Sequence, residues 1–315
     1  MSAGARRPRY TLHDGFRMPM GFPVAGFDSG QLYKPRPGDV FVSTYPKCGT
    51  TWMQYIVYLL LHGGEPLPPG TRMDEVFPHL EEVGEAVVRA LPEPRLIKTH
   101  LPLERTPWHP AARYLYVVRN PFDCAVSFYH HTRGFVRHYD FADGTFDDFF
   151  ECFIRGEVDF GDYFDHLASW LPRVGEPNLL FFTYEQMLAD PGAAVVAVGA
   201  FLGDAAARAA AEPELVARVV AASSFDSMRA DQRRWSSERP ANMPEFVRKG
   251  VVGDWASHLS RDQARRLAAK TAARFAGTPA QQWWPEIVAA ARGASCAPPA
   301  ARAERPQLPR RQWPR

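Results

Sequence analysis

Asp39-Val40-Phe41-Val42-Ser43-Thr44-Tyr45-Pro46-Lys47-Cys48-Gly49-Thr50-Thr51-Trp52 reads as a short buried strand, a tight loop and the start of a helix, in that order. The helix continues from Trp52 to Leu61 and is closed by Gly63-Gly64. A glycine-containing turn between strand and helix points backbone N–H groups at an anion, and the helix N-terminus adds partial positive charge. Lys47 adds a full charge, Thr50 and Thr51 add hydroxyl donors, and Gly49 lets the backbone approach closely. In a nucleoside-triphosphate loop the lysine follows the glycine, and the next hydroxyl serves Mg²⁺. Here Lys47 precedes Gly49, an order suited to an anion that has less need of a metal clamp.

Outward from this stretch, short apolar runs predict strands at Leu96–Thr99, Tyr114–Val118 and Leu179–Phe182. Such runs suit a parallel sheet covered on both faces. Helices are expected over Pro121–His131, Phe146–Arg155, Tyr163–Leu171, Ala193–Leu202, Pro213–Ala222 and Arg261–Ala276. The alternation predicts an α/β fold, one domain with a central, mainly parallel sheet flanked by helices and ligands at the carboxyl ends of the strands. Residues 1–38, rich in Gly, Pro and aromatics, read as an extended arm, 39–295 as the domain, and 296–315 as a disordered basic tail.

Composition narrows the function. The chain has 315 residues, 46% of them apolar and 23% charged, enough to bury a full core without staples. A net charge of +2 gives no argument for nucleic acid. Much of it sits in the tail, where Arg302, Arg305, Arg310, Arg311 and Arg315 face Glu304 alone. Four cysteines without paired spacing fit a reducing compartment. The most apolar run, Ile56 to Leu61, is far too short to span a bilayer, and the N-terminus lacks an apolar signal core. The expected location is therefore cytoplasmic, with no membrane partner.

Residues 45–52 closely resemble the donor loop of the cytosolic sulfotransferases, a family that shares its fold with P-loop kinases. Ser or Ala is usual where this chain has Cys48. Lys98-Thr99-His100-Leu101-Pro102 resembles the family's Lys-Thr-His-Leu-Pro, and Arg248-Lys249-Gly250 with Gly253-Asp254-Trp255 resembles its Arg-Lys-Gly-x-x-Gly-Asp-Trp. The resemblance implies transfer of a sulfuryl group from PAPS (3′-phosphoadenosine 5′-phosphosulfate) to a hydroxyl or amine, releasing PAP and requiring no metal. It implies that His100 is the general base, that Lys47 and Lys98 stabilise the reacting group, and that Ser127 restrains Lys47. Arg119, Ser127, Arg248, Lys249 and Gly250 would grip the 3′-phosphate. Cys48, Gly49, Thr50, Thr51 and Trp52 would complete the donor loop. Tyr184, Ser223, Ser224, Phe225, Met228, Phe246 and Val247 would surround the rest of the donor, with Phe225 opposite Trp52.

Acceptor residues are less defined. Lys98, Thr99, His100, Phe77 and Phe135 are assigned to substrate binding, with Met73–Val88, Phe128–His131 and Trp235–Phe246 as further walls. Their aromatic content points to small phenols, catecholamine-like molecules or hydrophobic alcohols without choosing among them. The usual dimerisation motif is not preserved: Trp255 is followed by Ala256-Ser257-His258-Leu259-Ser260-Arg261, so a monomer or another interface is expected. His130, His131 and His138 lack metal-ligand spacing and read as partly exposed helix residues. Cys48, beside Lys47 at a helix start, is in a setting that activates thiols, and its oxidation is expected to block donor binding. The rival readings are a nucleotide kinase, a ligand-binding protein without catalysis, and a Golgi carbohydrate sulfotransferase, the last disfavoured by the missing anchor.

Overall fold

The computed structural model describes residues 6–235 and 240–293. Its centre is a four-stranded parallel sheet formed by β3 (Val40–Thr44), β4 (Leu96–Thr99), β5 (Arg113–Val118) and β6 (Leu179–Thr183), in the order β4-β3-β5-β6. Side chains alternate across each strand as the pleat requires. Phe41, Ile97, Tyr114, Tyr116 and Phe181 enter one core, while Val40, Val42, Leu96, Leu115, Val117 and Phe182 enter the other. Both faces are therefore buried, which explains why the strands read as unbroken apolar runs.

Helix Thr50–Leu61 covers one face through Met53, Ile56, Val57 and Leu60. Helix Pro121–Gly134 covers the other through Phe122, Ala125, Val126 and Phe128. Its first turn holds Pro121, where a missing N–H costs nothing, and the Asn120 side chain caps the Asp123 N–H at 2.9 Å. The expected strands recur within one or two residues, and so do the expected helices, except that the helix from Pro121 runs three residues further, to Gly134.

The first segment differs from the extended arm expected for it. Strands β1 (Tyr10–His13) and β2 (Phe16–Pro19) pair antiparallel around Asp14-Gly15, both at positive φ, and Val24–Leu32 is a helix. This helix lies against helix Leu80–Ala90 at very short range: a Cβ on Gly26 would come within 2.5 Å of the Glu82 carbonyl oxygen, and one on Gly30 within 2.8 Å of that of Leu80. The close approach seats the start of Leu80–Ala90, and with it Glu81, beneath the sheet's carboxyl edge. The tail from residue 296, expected to be disordered, lies outside the described residues.

Candidate active site

A cavity of about 330 Å³ opens at the carboxyl ends of β3, β4 and β5. The loop after β3 forms its floor. Lys47 takes a positive φ of 67° and Gly49 one of 107°, so the chain reverses sharply before helix Thr50–Leu61. A Cβ on Gly49 would stand 3.0 Å from the Tyr184 ring, so glycine is required here for space as well as conformation. The Lys47 ammonium lies over the Phe246 ring, 4.1 Å from its centroid.

His100 follows β4 and is held on every side. Its Nδ1 is 2.7 Å from the Thr44 carbonyl oxygen, and its own carbonyl is 3.1 Å from His166 Nε2. Its backbone N–H donates to Glu81 Oε1 at 2.5 Å, and the Thr99 hydroxyl donates to the same oxygen at 2.8 Å. A carbonyl oxygen can only accept, so Nδ1 carries the hydrogen and Nε2 carries the lone pair. Burial, with the charges of Lys98 and His79, holds the His100 pKa well below the ordinary histidine value. Burial does the same to His79, whose ring stands edge-on to His100 at 4.9 Å. Lys98 shares the wall; burial lowers its pKa against the opposing charges of Glu82, Glu81 and Asp74.

The opposite end carries the cations. Arg119 is buried at the end of β5, donates to the Val251 carbonyl at 2.8 Å and lies 4.5 Å from the centroid of the Tyr184 ring. Asp123 accepts from the backbone N–H groups of Gly253 at 2.8 Å and Trp255 at 3.0 Å. This tie draws the distal Arg248-Lys249-Gly250 loop to the head of helix Pro121–Gly134, so that Arg119, Arg248 and Lys249 face one cavity. Asp254 receives hydrogen bonds from both Arg248 and Lys249. Burial pushes its carboxyl up, but those two bonds win and hold it at about 2. Gly250 permits the Phe225 ring to press on the backbone, since a Cβ there would be 2.4 Å from Cδ2.

Most residues named from the sequence border this cavity: Lys47, Gly49, Thr50, Thr51, Trp52, Phe77, Lys98, His100, Arg119, Ser127, Phe135, Tyr184, Ser223, Phe225, Met228, Phe246, Val247, Arg248, Lys249 and Gly250. Three stand apart from it. Thr99 is buried with its hydroxyl on Glu81, and Ser224 caps the helix Phe225–Ala230. Cys48 is also buried, its sulfur 3.8 Å from that of Cys124 in the core. The oxidation expected from its place in the loop is therefore disfavoured, because the Cys48 side chain points into the core. Trp52 packs edge-on against Tyr184 at 5.4 Å, and Phe225 lines the same cavity.

Of the three histidines considered for a metal, His130 meets His258 at 3.1 Å, His138 Nδ1 bonds the Met20 carbonyl at 2.7 Å, and His131 packs on Phe135. The described residues contain no cluster of metal-ligating groups and no helix long and apolar enough to cross a membrane. Sequence reading placed His79 and Glu81 only within the Met73–Val88 wall, without their roles, and missed Asp159, Phe160 and His166. The Pro78-His79-Leu80-Glu81 turn carries no periodic signal, and a charged residue is expected outside a core.

A family model described as a sulfotransferase domain matches residues 37–279. Sulfotransferase 1C2 of Rattus norvegicus is 34% identical over 252 residues, covering 75% of this chain and 83% of that one. Sulfotransferase 2B1 of Mus musculus is 35% identical over 269 residues, covering 81% and 77%. The solved structure of mouse sulfotransferase SULT7A1 complexed with PAP has the same fold, with a TM-score of 0.69 at 25% identity, covering 86% of this chain and 96% of that one.

Proposed function

This chain belongs to the sulfotransferase family, and from that membership we propose that it uses PAPS to sulfate a hydroxyl or amine of a small aromatic or hydrophobic acceptor. His100 is the general base in this reading. One observation carries it: the Thr44 carbonyl occupies Nδ1–H, which leaves an unprotonated Nε2 on a cavity-lining, neutral imidazole.

The donor end fits PAPS in its chemistry. Arg119 Nε and Trp52 Nε1 are buried without a hydrogen-bond partner among the described residues, so polar groups there are free to meet a ligand. PAPS supplies the activated sulfuryl group. Arg119, Ser127, Arg248 and Lys249 take its 3′-phosphate, arginine offering two parallel N–H groups that stay charged. Trp52, Tyr184 and Phe225 surround the base. The loop amides from Lys47 to Thr51 and the Lys47 ammonium stabilise the charge that develops on the departing phosphate oxygen in this reading. Lys98 serves the transferring oxygens. His100 Nε2 takes the acceptor's proton, and the Thr44 carbonyl and Glu81 keep the ring and its backbone from turning away.

The test is transfer of labelled sulfate from PAPS to a panel of phenols, alcohols and amines, with PAP and ATP as competing ligands. Transfer inhibited by PAP and not by ATP supports the reading. ATP-dependent phosphorylation without sulfation would replace it with a kinase.

A further inference from the structure

Asp159 is a buried acid on the wall of the cavity, 1% exposed, that the donor chemistry does not use. One of its oxygens, Oδ2, accepts from the Tyr139 hydroxyl at 2.8 Å. The other, Oδ1, is buried with no hydrogen-bond partner among the described residues. No cation among the described residues pairs with the carboxylate, and burial pushes its pKa up to about 7. The segment is fixed in place: Phe160 adopts a positive φ of 61° and donates its N–H to the Arg17 carbonyl at 2.9 Å. The Phe160 ring lies 5.2 Å from that of His100, which brings Asp159 to the acceptor side. Phe22, Phe135 and Tyr139 supply further rings to the same wall.

We propose that Asp159 forms an acceptor subsite for a protonated amine, so that the preferred acceptor is a small phenol or alcohol bearing a cationic amino group. The proposal rests on the sulfuryl-transfer reading above. A neutral hydroxyl would satisfy Oδ1 but would leave the ionised form uncompensated, so the buried acid would stay largely protonated. An ammonium group supplies both the hydrogen bond and the countercharge. Aromatic faces favour a cation and do nothing for an acceptor carboxylate, which Asp159 repels. Tyr139 keeps the second carboxylate oxygen occupied, so a single N–H donor completes the set.

The experiment compares tyramine, N-acetyltyramine and 4-ethylphenol as acceptors with PAPS and the full chain. All three present the same phenol, and only tyramine is charged. The expected wild-type result is a kcat/KM for tyramine at least about tenfold above either neutral analogue, carried by KM. In Asp159→Asn, which keeps an oxygen for Tyr139, the tyramine to 4-ethylphenol ratio should fall by about the same factor. Equal use of the three phenols by the wild-type protein would overturn the subsite while leaving sulfuryl transfer standing. Turnover of none of them, nor of any acceptor in a wider panel, would overturn the proposed function and the subsite together. The wild-type comparison decides the question even where the variant fails to fold.

Discussion

His100 Nδ1 and the carbonyl oxygen of Thr44 stand 2.7 Å apart, which joins the end of β4 to the end of β3. Thr44 in turn shares a 2.6 Å hydroxyl contact with Thr50, in the first turn of the helix that follows the donor loop. The imidazole is thus tied to the strand that feeds the donor loop and to the helix that leaves it. Fixing the hydrogen on Nδ1 removes one tautomer and sets which nitrogen can act.

His100→Ala should reduce sulfuryl transfer by about 10²–10⁴ while PAP still binds. Single-turnover rates and PAP titration separate the two effects. Near-normal turnover in this variant would remove His100 from the mechanism.

The pH profile follows from the depressed pKa of His100. A base must be unprotonated, and here the protonated form is favoured only well below the ordinary histidine value. With the neutral acceptor 4-ethylphenol, the acid limb of kcat/KM should stay flat from about pH 6 to 8, and activity should decline only at lower pH. An acid limb centred near the ordinary histidine value would show that the imidazole is solvated in the working enzyme.

Arg248→Ala should weaken PAP binding by roughly tenfold or more, as expected for a lost charge-assisted contact of about 1.5–3 kcal/mol. Adenosine 5′-phosphosulfate, which lacks the 3′-phosphate, should bind almost as before. Calorimetric titration of both ligands checks this, and an equal loss for both would place Arg248 elsewhere.

Gly49→Ala should cost about 1–3 kcal/mol of stability through backbone strain. Its added methyl would also stand 3.0 Å from the Tyr184 ring, with φ at 107°. A lowered Tm together with weakened PAP binding is expected. An unchanged Tm would mean that the loop can relax around the methyl group.

Cys48 and Cys124 should resist iodoacetamide in the native protein, because both side chains are fully buried, and burial pushes the Cys124 thiol up as well. Both should label once denaturant unfolds the chain. Peptide mass spectrometry reads the outcome. Rapid native labelling of Cys48, with loss of PAP binding, would restore the activated thiol that its place in the loop suggests.

The sheet and the donor loop were legible because their signals are local. Val40, Phe41 and Val42 form an apolar run, and the residues from Tyr45 to Trp52 carry their chemistry in sequence order. The hairpin was legible in principle, since Asp14-Gly15 is a strong two-residue turn signal, but the surrounding Gly, Pro and aromatic residues read as irregular. Helix Leu80–Ala90 was hidden by Gly84, whose φ of 75° breaks the helical run. The roles of Glu81 and Asp159 could not be read at all. Each is a buried acid whose meaning depends on partners far away in the chain: Glu81 on His100, and Asp159 on Tyr139. The same distance explains Thr99, which sits within a binding motif but turns its hydroxyl to Glu81.

The strand order β4-β3-β5 has a metric consequence. The proposed base rides on β4, the proposed donor loop on β3 and the first proposed arginine clamp on β5, so neighbouring stations are separated by one interstrand pitch of about 4.8 Å. That pitch is enforced by the hydrogen-bond ladder and cannot be tuned by lengthening a loop. Evolution of this scaffold is therefore free to redraw the acceptor walls, which hang from the hairpin and from loops, while the reach from base to donor stays locked to the lattice of the sheet.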